Sequence, residues 1–512
     1  MTPTAKYKIA HSKKLGRYLI TAKNIAPGEV LIREEPIAVG PMVYKKDCFC
    51  FACMRTLPKI GEERQYTCSR CKFAPLCSVA CELHTNHHMN EECQIFKDNQ
   101  DLLIENGIDA AGILLALRLW IIKHKNPAVW EKIDGMEAHL DKRIGTSIWR
   151  DREVNVVDVI RRLRLPAEIE PPNTELMQKL CGILDVNAFE LRSPGALDDL
   201  LLRGLYIEAT LMAHDCKGNT HLTVDDNFQL TVYASVAIKE SEPILFNYTS
   251  SLLGTADRKD HLREGKYFEC ECSLCMDPYE LQSHLSSVLC PRCKKGFIGI
   301  QDPSTVDPYE RSRWQCQMCK KTYGGRLIRA TLNLCRTLID ECEDVDIKKI
   351  DNLLKKLSRS LHTNHFLMLS LKQKLLTACR KEVTSLNPQK KVVQKMLDTC
   401  KEIYNVLDIV EPGIMLYEMH LPIIILANRS YSAREISSTQ LICQLEEARD
   451  LLKKALTMLL LEPTTTPEGK LAKRALEELR TLNQNISDVK FLPLEEPKVY
   501  TRRTKEHRRK VK

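Results

Sequence analysis

No apolar run in this chain is long enough to cross a bilayer. The longest, Ala110 to Ile122, falls short of the ~20 residues a spanning helix needs and carries Arg118 inside it. A membrane-spanning helix is therefore not expected. The opening segment, M-T-P-T-A-K-Y-K-I-A-H-S-K-K, likewise lacks the apolar core of a secretion signal. That shortage bears on the 22 cysteines. Without a route to an oxidising compartment they are expected to bind metal as thiolates rather than pair as disulfides, in a nuclear and cytoplasmic setting. A basic body is missing too. The net charge is +9, yet the stretch from Lys498 to Lys512 holds eight Lys/Arg against one Glu, which leaves the rest close to neutral. Direct nucleic-acid binding by a folded surface is not expected. The tail itself reads either as a solvated terminus or as a nuclear-import or nucleic-acid contact sequence.

What is present begins with length. At 512 residues, 44% hydrophobic and 28% charged, the composition is that of a globular protein of roughly three domains. Between Cys50 and Cys93 the chain reads C-F-A-C, C-S-R-C, C-S-V-A-C and H-M-N-E-E-C. Four ligand pairs in such a short stretch suit two tetrahedral zinc ions, because a two-residue gap lets both thiolates of one turn reach the same ion. The candidate ligands are Cys50, Cys53, Cys68, Cys71, Cys77, Cys81, His88 and Cys93, with His87 and His84 as rivals to His88 and Cys48 as a register competitor for Cys50.

A second constellation is C-E-C-S-L-C, with Cys270, Cys272 and Cys275 leaving one tetrahedral position open. Cys216, in A-H-D-C-K-G-N, is the candidate fourth ligand; a plain group of buried thiols is the alternative. The third is C-P-R-C and C-Q-M-C, in which Cys290, Cys293, Cys316 and Cys319 have zinc-ribbon spacing. Sixteen ligands make about four Zn2+ ions. The cysteines left over on helical segments read as core residues.

Periodicity organises the remainder. Residues 6–44 read as short strands with turns at L-G-R-Y and A-P-G-E. From about 100 to 190 the pattern is helical, broken by Pro166, Pro171 and Pro172. Short strands return over 200–250, as in Q-L-T-V-Y-A-S-V-A-I. Residues 325–485 carry long amphipathic helices, among them Cys443 to Leu461 and Gly469 to Asn483, which could pair as helical hairpins without a strict internal period.

The finger, V-N-A-F-E at Val186–Glu190, R-G-L-Y at Arg203–Tyr206, A-H-D-C, F-N-Y and K-Y-F-E-C-E-C-S-L-C stand in the order and spacing of the SET-and-MYND lysine methyltransferases. The chain resembles that family over roughly residues 5–320, and the ribbon and L-G-R-Y-L resemble its arthropod-type branch. The resemblance implies an α+β fold: a mostly-β SET domain (1–47 and 100–269, with a helical insert) split by a MYND zinc finger (48–93). Post-SET and ribbon segments (270–324), an all-α tetratricopeptide-like domain (325–490) and a basic disordered tail (491–512) would follow. It also implies interleaved finger sites, Cys50, Cys53, Cys77 and Cys81 on one ion and Cys68, Cys71, His88 and Cys93 on the other.

For the pocket, the resemblance implies that Gly16 and Arg17 face the methionine end of S-adenosylmethionine (SAM) and that Asn187 contacts its polar groups. His214 would shape the pocket from a strand-threading knot, Phe268 would pack on the adenine and Tyr248 would be the catalytic tyrosine. The substrate would be a protein with a target lysine, and the finger would bind proline-containing peptides or corepressors. A monomer is expected. Departures accompany the likeness. Ala213 stands in place of an asparagine, Tyr18 in place of a second glycine, Ser241-Glu242-Pro243 in place of a G-E-E turn, and Lys266 where active enzymes commonly carry a second tyrosine. A cation there would oppose the sulfonium of SAM unless it points away or is deprotonated. Two function classes follow: a SAM-dependent protein-lysine methyltransferase, or a catalytically weak scaffold that recruits partners.

Overall fold

The computed structural model describes residues 6–42, 48–58, 66–83, 90–105, 107–195, 200–310, 312–342, 346–407 and 413–491. His84, His87, His88 and the basic tail therefore lie outside the described residues. The fold is mixed α and β and divides into two units, one of residues 1–277 with 461–470, the other of 278–460 with 471–512.

The first unit starts with the antiparallel hairpin Tyr7–Ser12/Gly16–Thr21, in register from Ser12 opposite Gly16 to Tyr7 opposite Thr21. Gly16 closes the turn at φ +64°, a left-handed conformation in which a residue with a Cβ would be strained. Two three-stranded antiparallel sheets follow. One orders Thr220–Val224, Leu230–Ala234 and Val30–Glu34; the other orders Ala38–Pro41, Leu200–Leu205 and Phe189–Arg192. The hairpin joins the stretch before Leu245–Phe246 through Thr21 N–H to the Glu242 carbonyl and Ser241 N–H back to the Thr21 carbonyl. Ser241 sits there at φ +66°, where a glycine would be unstrained.

The apolar run noted above forms the helix Ala110–Lys125, which starts on the Asp109 side chain capping the Ala111 amide and ends with Lys123, His124 and Lys125 against its carbonyl end. It is buried on nearly every side, which explains a hydrophobic run without amphipathic spacing. A Cβ placed on Gly40 would stand 2.7 Å from the Leu115 Cβ, so this helix lies directly on its strand. Among the described residues no helix is long and apolar enough to cross a membrane.

Arg118 sits within that helix and resolves the oddity of a charge in an apolar run. Its guanidinium donates to both oxygens of Glu92 and to the carbonyls of Val39 and Phe51, all buried. One side chain thus ties the cysteine-rich insert, through Glu92 and Phe51, to a strand and to the core helix. Phe51 and Phe73 both lean on Phe96 at ring separations of 5.6 and 5.4 Å. Removing Arg118 strands a buried carboxylate. We expect Arg118→Ala to lower the stability of this unit by about 3–5 kcal/mol in a urea titration, with Arg118→Met/Glu92→Met recovering part of it. An unchanged midpoint for the single variant would contradict this account.

The second unit opens with an antiparallel four-stranded ribbon, Val288–Leu289, Phe297–Ile300, Arg313–Cys316 and Thr322–Gly324. Helices follow from Gly325 onward. Ile347–Leu357, Phe366–Val383, Lys390–Leu407, Gly413–Ser432 and Ser438–Leu459 each pack on the next in sequence. Short connections favour such neighbours, and each helix buries one apolar stripe against its partners. Of the cysteines outside the metal motifs on these helices, Cys335, Cys379 and Cys400 are buried as expected, whereas Cys443, on the solvent side of Ser438–Leu459, is exposed and is not a core residue.

Candidate functional site

The first requirement of a thiolate site is that distant cysteines converge. Within each group, Cys50/Cys53/Cys77/Cys81, Cys216/Cys270/Cys272/Cys275, Cys290/Cys293/Cys316/Cys319 and Cys68/Cys71/Cys93, the sulfurs lie within 4.8 Å of one another. Four thiolates at ~2.3 Å from one zinc would stand about 3.8 Å apart. The separations fit: Cys53–Cys77 3.7 Å, Cys68–Cys93 3.8 Å, Cys216–Cys270 3.8 Å, Cys290–Cys319 3.7 Å and Cys293–Cys316 3.7 Å. Cys48 is not in the group that Cys50 joins.

The four C-x-x-C turns share one backbone device. In each, the residue after the second cysteine, Met54, Lys72, Lys294 or Lys320, has positive φ, and its amide donates to the carbonyl of the first cysteine. That tight turn aims both sulfurs to one side. The Ala74 and Gly296 amides then donate to Cys71 and Cys293 sulfur at 3.4 Å. The set of Cys216, Cys270, Cys272 and Cys275 is built differently, around the short helix Ser273–Met276, and three of its four cysteines are buried. Four thiolates on a divalent ion leave two negative charges; buried Arg258 faces them, its guanidinium 3.8 Å from Cys275 sulfur.

Cys216 links that cysteine set to His214, and with it to Tyr248 and Phe268. It follows the strand Ala213–His214, which pairs in parallel with Leu245–Phe246 and so threads one segment beside another 32 residues on. His214 lies at the centre. Its Nδ1 accepts from the Tyr248 amide at 3.0 Å, so the proton rests on Nε2, which points at Cys216 sulfur 3.4 Å away. Burial pushes its pKa down to about 4, which keeps the ring neutral. Tyr248 and Phe268 stack around it at ring separations of 5.1 and 5.7 Å.

Tyr248 donates its hydroxyl to the Met212 carbonyl, and burial raises its pKa well above the phenol range. It stays protonated at neutral pH and acts as a hydrogen-bond donor, not a base. Phe268 packs against Cys216, Leu262, Cys270, Leu274 and Cys275. Ala213 is buried and brings no side-chain hydrogen bond. Asn187 ends the helix Thr174–Asn187, and its amide nitrogen donates to the carbonyls of Ile183 and Glu137, both at 2.8 Å. Arg17, beside Gly16, donates to the Gly135 carbonyl.

Lys266 points away toward the helix that ends at Asn187 and donates to the Val186 carbonyl. Its Nζ also stands 5.7 Å from the Tyr248 ring centre. Burial, and then the charge of Arg203, push its pKa down to about 8, against the opposing pull of Glu190 and Asp185.

Sequence reasoning missed the group next to it. Asp185 receives Arg143 at 2.7 Å, Arg152 at 2.8 Å and Arg203 at 2.9 Å. Burial pushes its carboxyl up, but the bond from Arg152 and the charges of Arg152, Arg203 and Arg143 outweigh this and hold it below the usual range. Arg143 also lies 3.4 Å from the Tyr267 hydroxyl. Spacing carries no signal for such a cluster, since the arginines sit on separate elements.

No protein-family model matches the chain. Among curated proteins it is similar to the "SET domain-containing protein SmydA-8, isoform A" of Drosophila melanogaster, with 25% identity over 325 residues, 62% of this chain and 65% of that protein. It is similar to "Histone-lysine N-methyltransferase SMYD3" of Mus musculus at 23% over 272 residues, 51% of this chain and 59% of that protein. To "Histone-lysine N-methyltransferase SMYD1" of Homo sapiens it is 22% identical over 352 residues, 64% of this chain and 66% of that protein. The chain thus spans slightly under two thirds of the length of these relatives.

Proposed function

We propose that this chain, which belongs to the family of SET and MYND domain proteins, is a SAM-dependent protein-lysine N-methyltransferase. The carrying observation is the parallel pairing of Ala213–His214 with Leu245–Phe246, which sets His214 between Tyr248 and Phe268. In this reading the SET domain comprises residues 1–47 and 100–269, the MYND finger 48–93, the post-SET and ribbon segments 270–324 and the tetratricopeptide-like helices 325–490, with the basic tail as an import sequence. Zinc ions held by the four cysteine groups would be structural, since every ligand position is a protein thiolate or, for Cys68, Cys71 and Cys93, completed by His88.

Bound SAM would supply an electrophilic methyl group. The chain's own part is orientation. Gly16, Arg17 and Asn187 border the methionine end, Phe268 offers an aromatic face to the adenine, and neutral His214 braces the Tyr248 backbone through its amide. Tyr248 would fix the incoming amine, and orientation supplies most of the rate in such a transfer. The target lysine belongs to a histone or another protein, and proline-containing peptides or corepressors would dock on the finger.

Ala213 and Lys266 favour a second reading, a scaffold with a weak pocket. Calorimetry with SAM separates the two. We expect saturable binding at sub-millimolar cofactor, weaker than in relatives that carry asparagine and tyrosine at these places, since a lost hydrogen bond costs about 0.5–1.5 kcal/mol. Ala213→Asn with Lys266→Tyr should tighten it. No heat at about millimolar SAM would overturn the enzyme and leave the scaffold.

A further inference from the structure

Residues Leu461–Lys470, late in the chain, belong to the first unit. They read L-E-P-T-T-T-P-E-G-K, a turn bracketed by Glu462-Pro463 and Pro467-Glu468. Thr466 closes it: its hydroxyl donates to the Pro463 carbonyl at 2.8 Å and accepts from the Gly469 amide at 3.0 Å. A Cβ on Gly469 would collide with the Pro463 carbonyl, so the turn packs tightly on itself. Glu462 and Glu468 are its acidic arms. His221 Nε2 donates to Glu462 at 2.7 Å, and the Arg192 guanidinium donates to both oxygens of Glu468 at 2.7 and 3.0 Å. A bidentate pair of this kind fixes direction as well as distance. Burial pushes the Glu468 carboxyl up, yet the bond and charge of Arg192 hold it below the usual range and so ionised at neutral pH.

The two grip points lie on edge strands, His221 on Thr220–Val224 and Arg192 at the end of Phe189–Arg192, each paired on one side only within its sheet. Both strands lead to the same place. Next to His221, Thr220 Oγ1 donates to the Leu245 carbonyl at 2.8 Å, and the Asn219 side-chain oxygen accepts from the Leu245 amide at 2.7 Å. At the other end of the Arg192 strand, the Phe189 ring lies 6.2 Å from Phe246, which lies 6.3 Å from Tyr248. Leu245–Phe246 is a two-residue strand with one parallel neighbour, so its own ladder holds it weakly. We propose, resting on the methyltransferase reading, that Glu462 and Glu468 are positioning residues for the reaction: the acidic turn clamps two edge strands and through them sets Leu245–Phe246 and the Tyr248 that follows.

Two measurements on the full chain test the clamp. Glu462→Gln/Glu468→Gln keeps the shape of both side chains and removes both charges. Hydrogen exchange read on peptides covering 244–249 should run about three- to tenfold faster in this variant, the scale of two partly exposed polar pairs, while peptides from the helix Ala110–Lys125 keep their rate. Arg192→Glu sets two carboxylates against each other and should speed exchange likewise. Adding Glu468→Arg should restore it, which a loss of packing alone would not allow. Calorimetry with SAM should show affinity about threefold weaker in the glutamine variant and in Arg192→Glu, and regained in the exchanged pair. Wild-type exchange over 244–249 in the glutamine variant, or no rescue by the exchanged pair, overturns the clamp. Faster exchange with wild-type SAM affinity makes the turn a structural clamp alone and overturns the positioning role. A wild type that binds no SAM overturns the functional reading, and with it the role in a reaction, while the exchange rates separately decide the clamp.

Discussion

Cys216→Ser should release one of about four zinc equivalents and weaken SAM binding at least tenfold. A serine hydroxyl does not ionise at neutral pH, so the set with Cys270, Cys272 and Cys275 falls to three thiolates. The loss would not stay at the metal. Cys216 sulfur receives the Nε2 side of His214, and the same ring receives the Tyr248 amide on Nδ1. Phe268 packs against the buried cluster that holds Cys216, Cys270 and Cys275. Releasing the ion therefore frees the strand Ala213–His214, Tyr248 and Phe268 together. It also leaves buried Arg258 beside an emptied set of sulfurs. Cys272→Ser, away from the knot strand, should do the same, because the ion carries the connection. Metal analysis with calorimetry reads both effects. Four equivalents retained in folded Cys216→Ser, or lost zinc with wild-type SAM affinity, would show that metal and pocket are independent.

These dependencies differ in how far the sequence discloses them. The cysteine groups are legible because a metal ion imposes short, repeated gaps, and a C-x-x-C turn is a local structure whose positive-φ residue follows directly from it. Cys216 was legible by arithmetic, since three thiolates need a fourth, although it lies 54 residues from Cys270. The pocket residues His214, Tyr248 and Phe268 were readable only through family likeness; nothing in A-H-D-C or F-N-Y announces a parallel two-strand knot. The arginine cluster on Asp185 was not readable at all. Its members approach from separations of 42, 33 and 18 residues, and each alone looks like a solvated charge. Arg118 shows the same limit. Its place in an apolar run argued against a membrane helix, but Glu92, its buried partner, gave no sign in advance.

Tyr248→Phe should slow methyl transfer by at least about 10²-fold while leaving the fold and most of the SAM affinity in place. The substitution removes one oxygen. The ring keeps its contacts with His214 at 5.1 Å and Phe246 at 6.3 Å, so packing around the knot survives. The backbone amide still donates to His214 Nδ1, so the histidine keeps its tautomer. What disappears is the hydroxyl that reaches the Met212 carbonyl. Losing that bond costs stability only about 0.5–1.5 kcal/mol. For transfer it matters more, because burial keeps the phenol protonated and thus available to fix a reacting amine, and a displacement of about 1 Å there can cost 10²-fold. A base variant is partly rescued at high pH, since the target amine then arrives unprotonated; an orientation variant is not. Tyr248→Phe should therefore lie below the wild type by the same factor from pH 7 to pH 9.5. Wild-type turnover in this variant would remove Tyr248 from the reaction, and a deficit that closes as pH rises would make it part of the proton route instead.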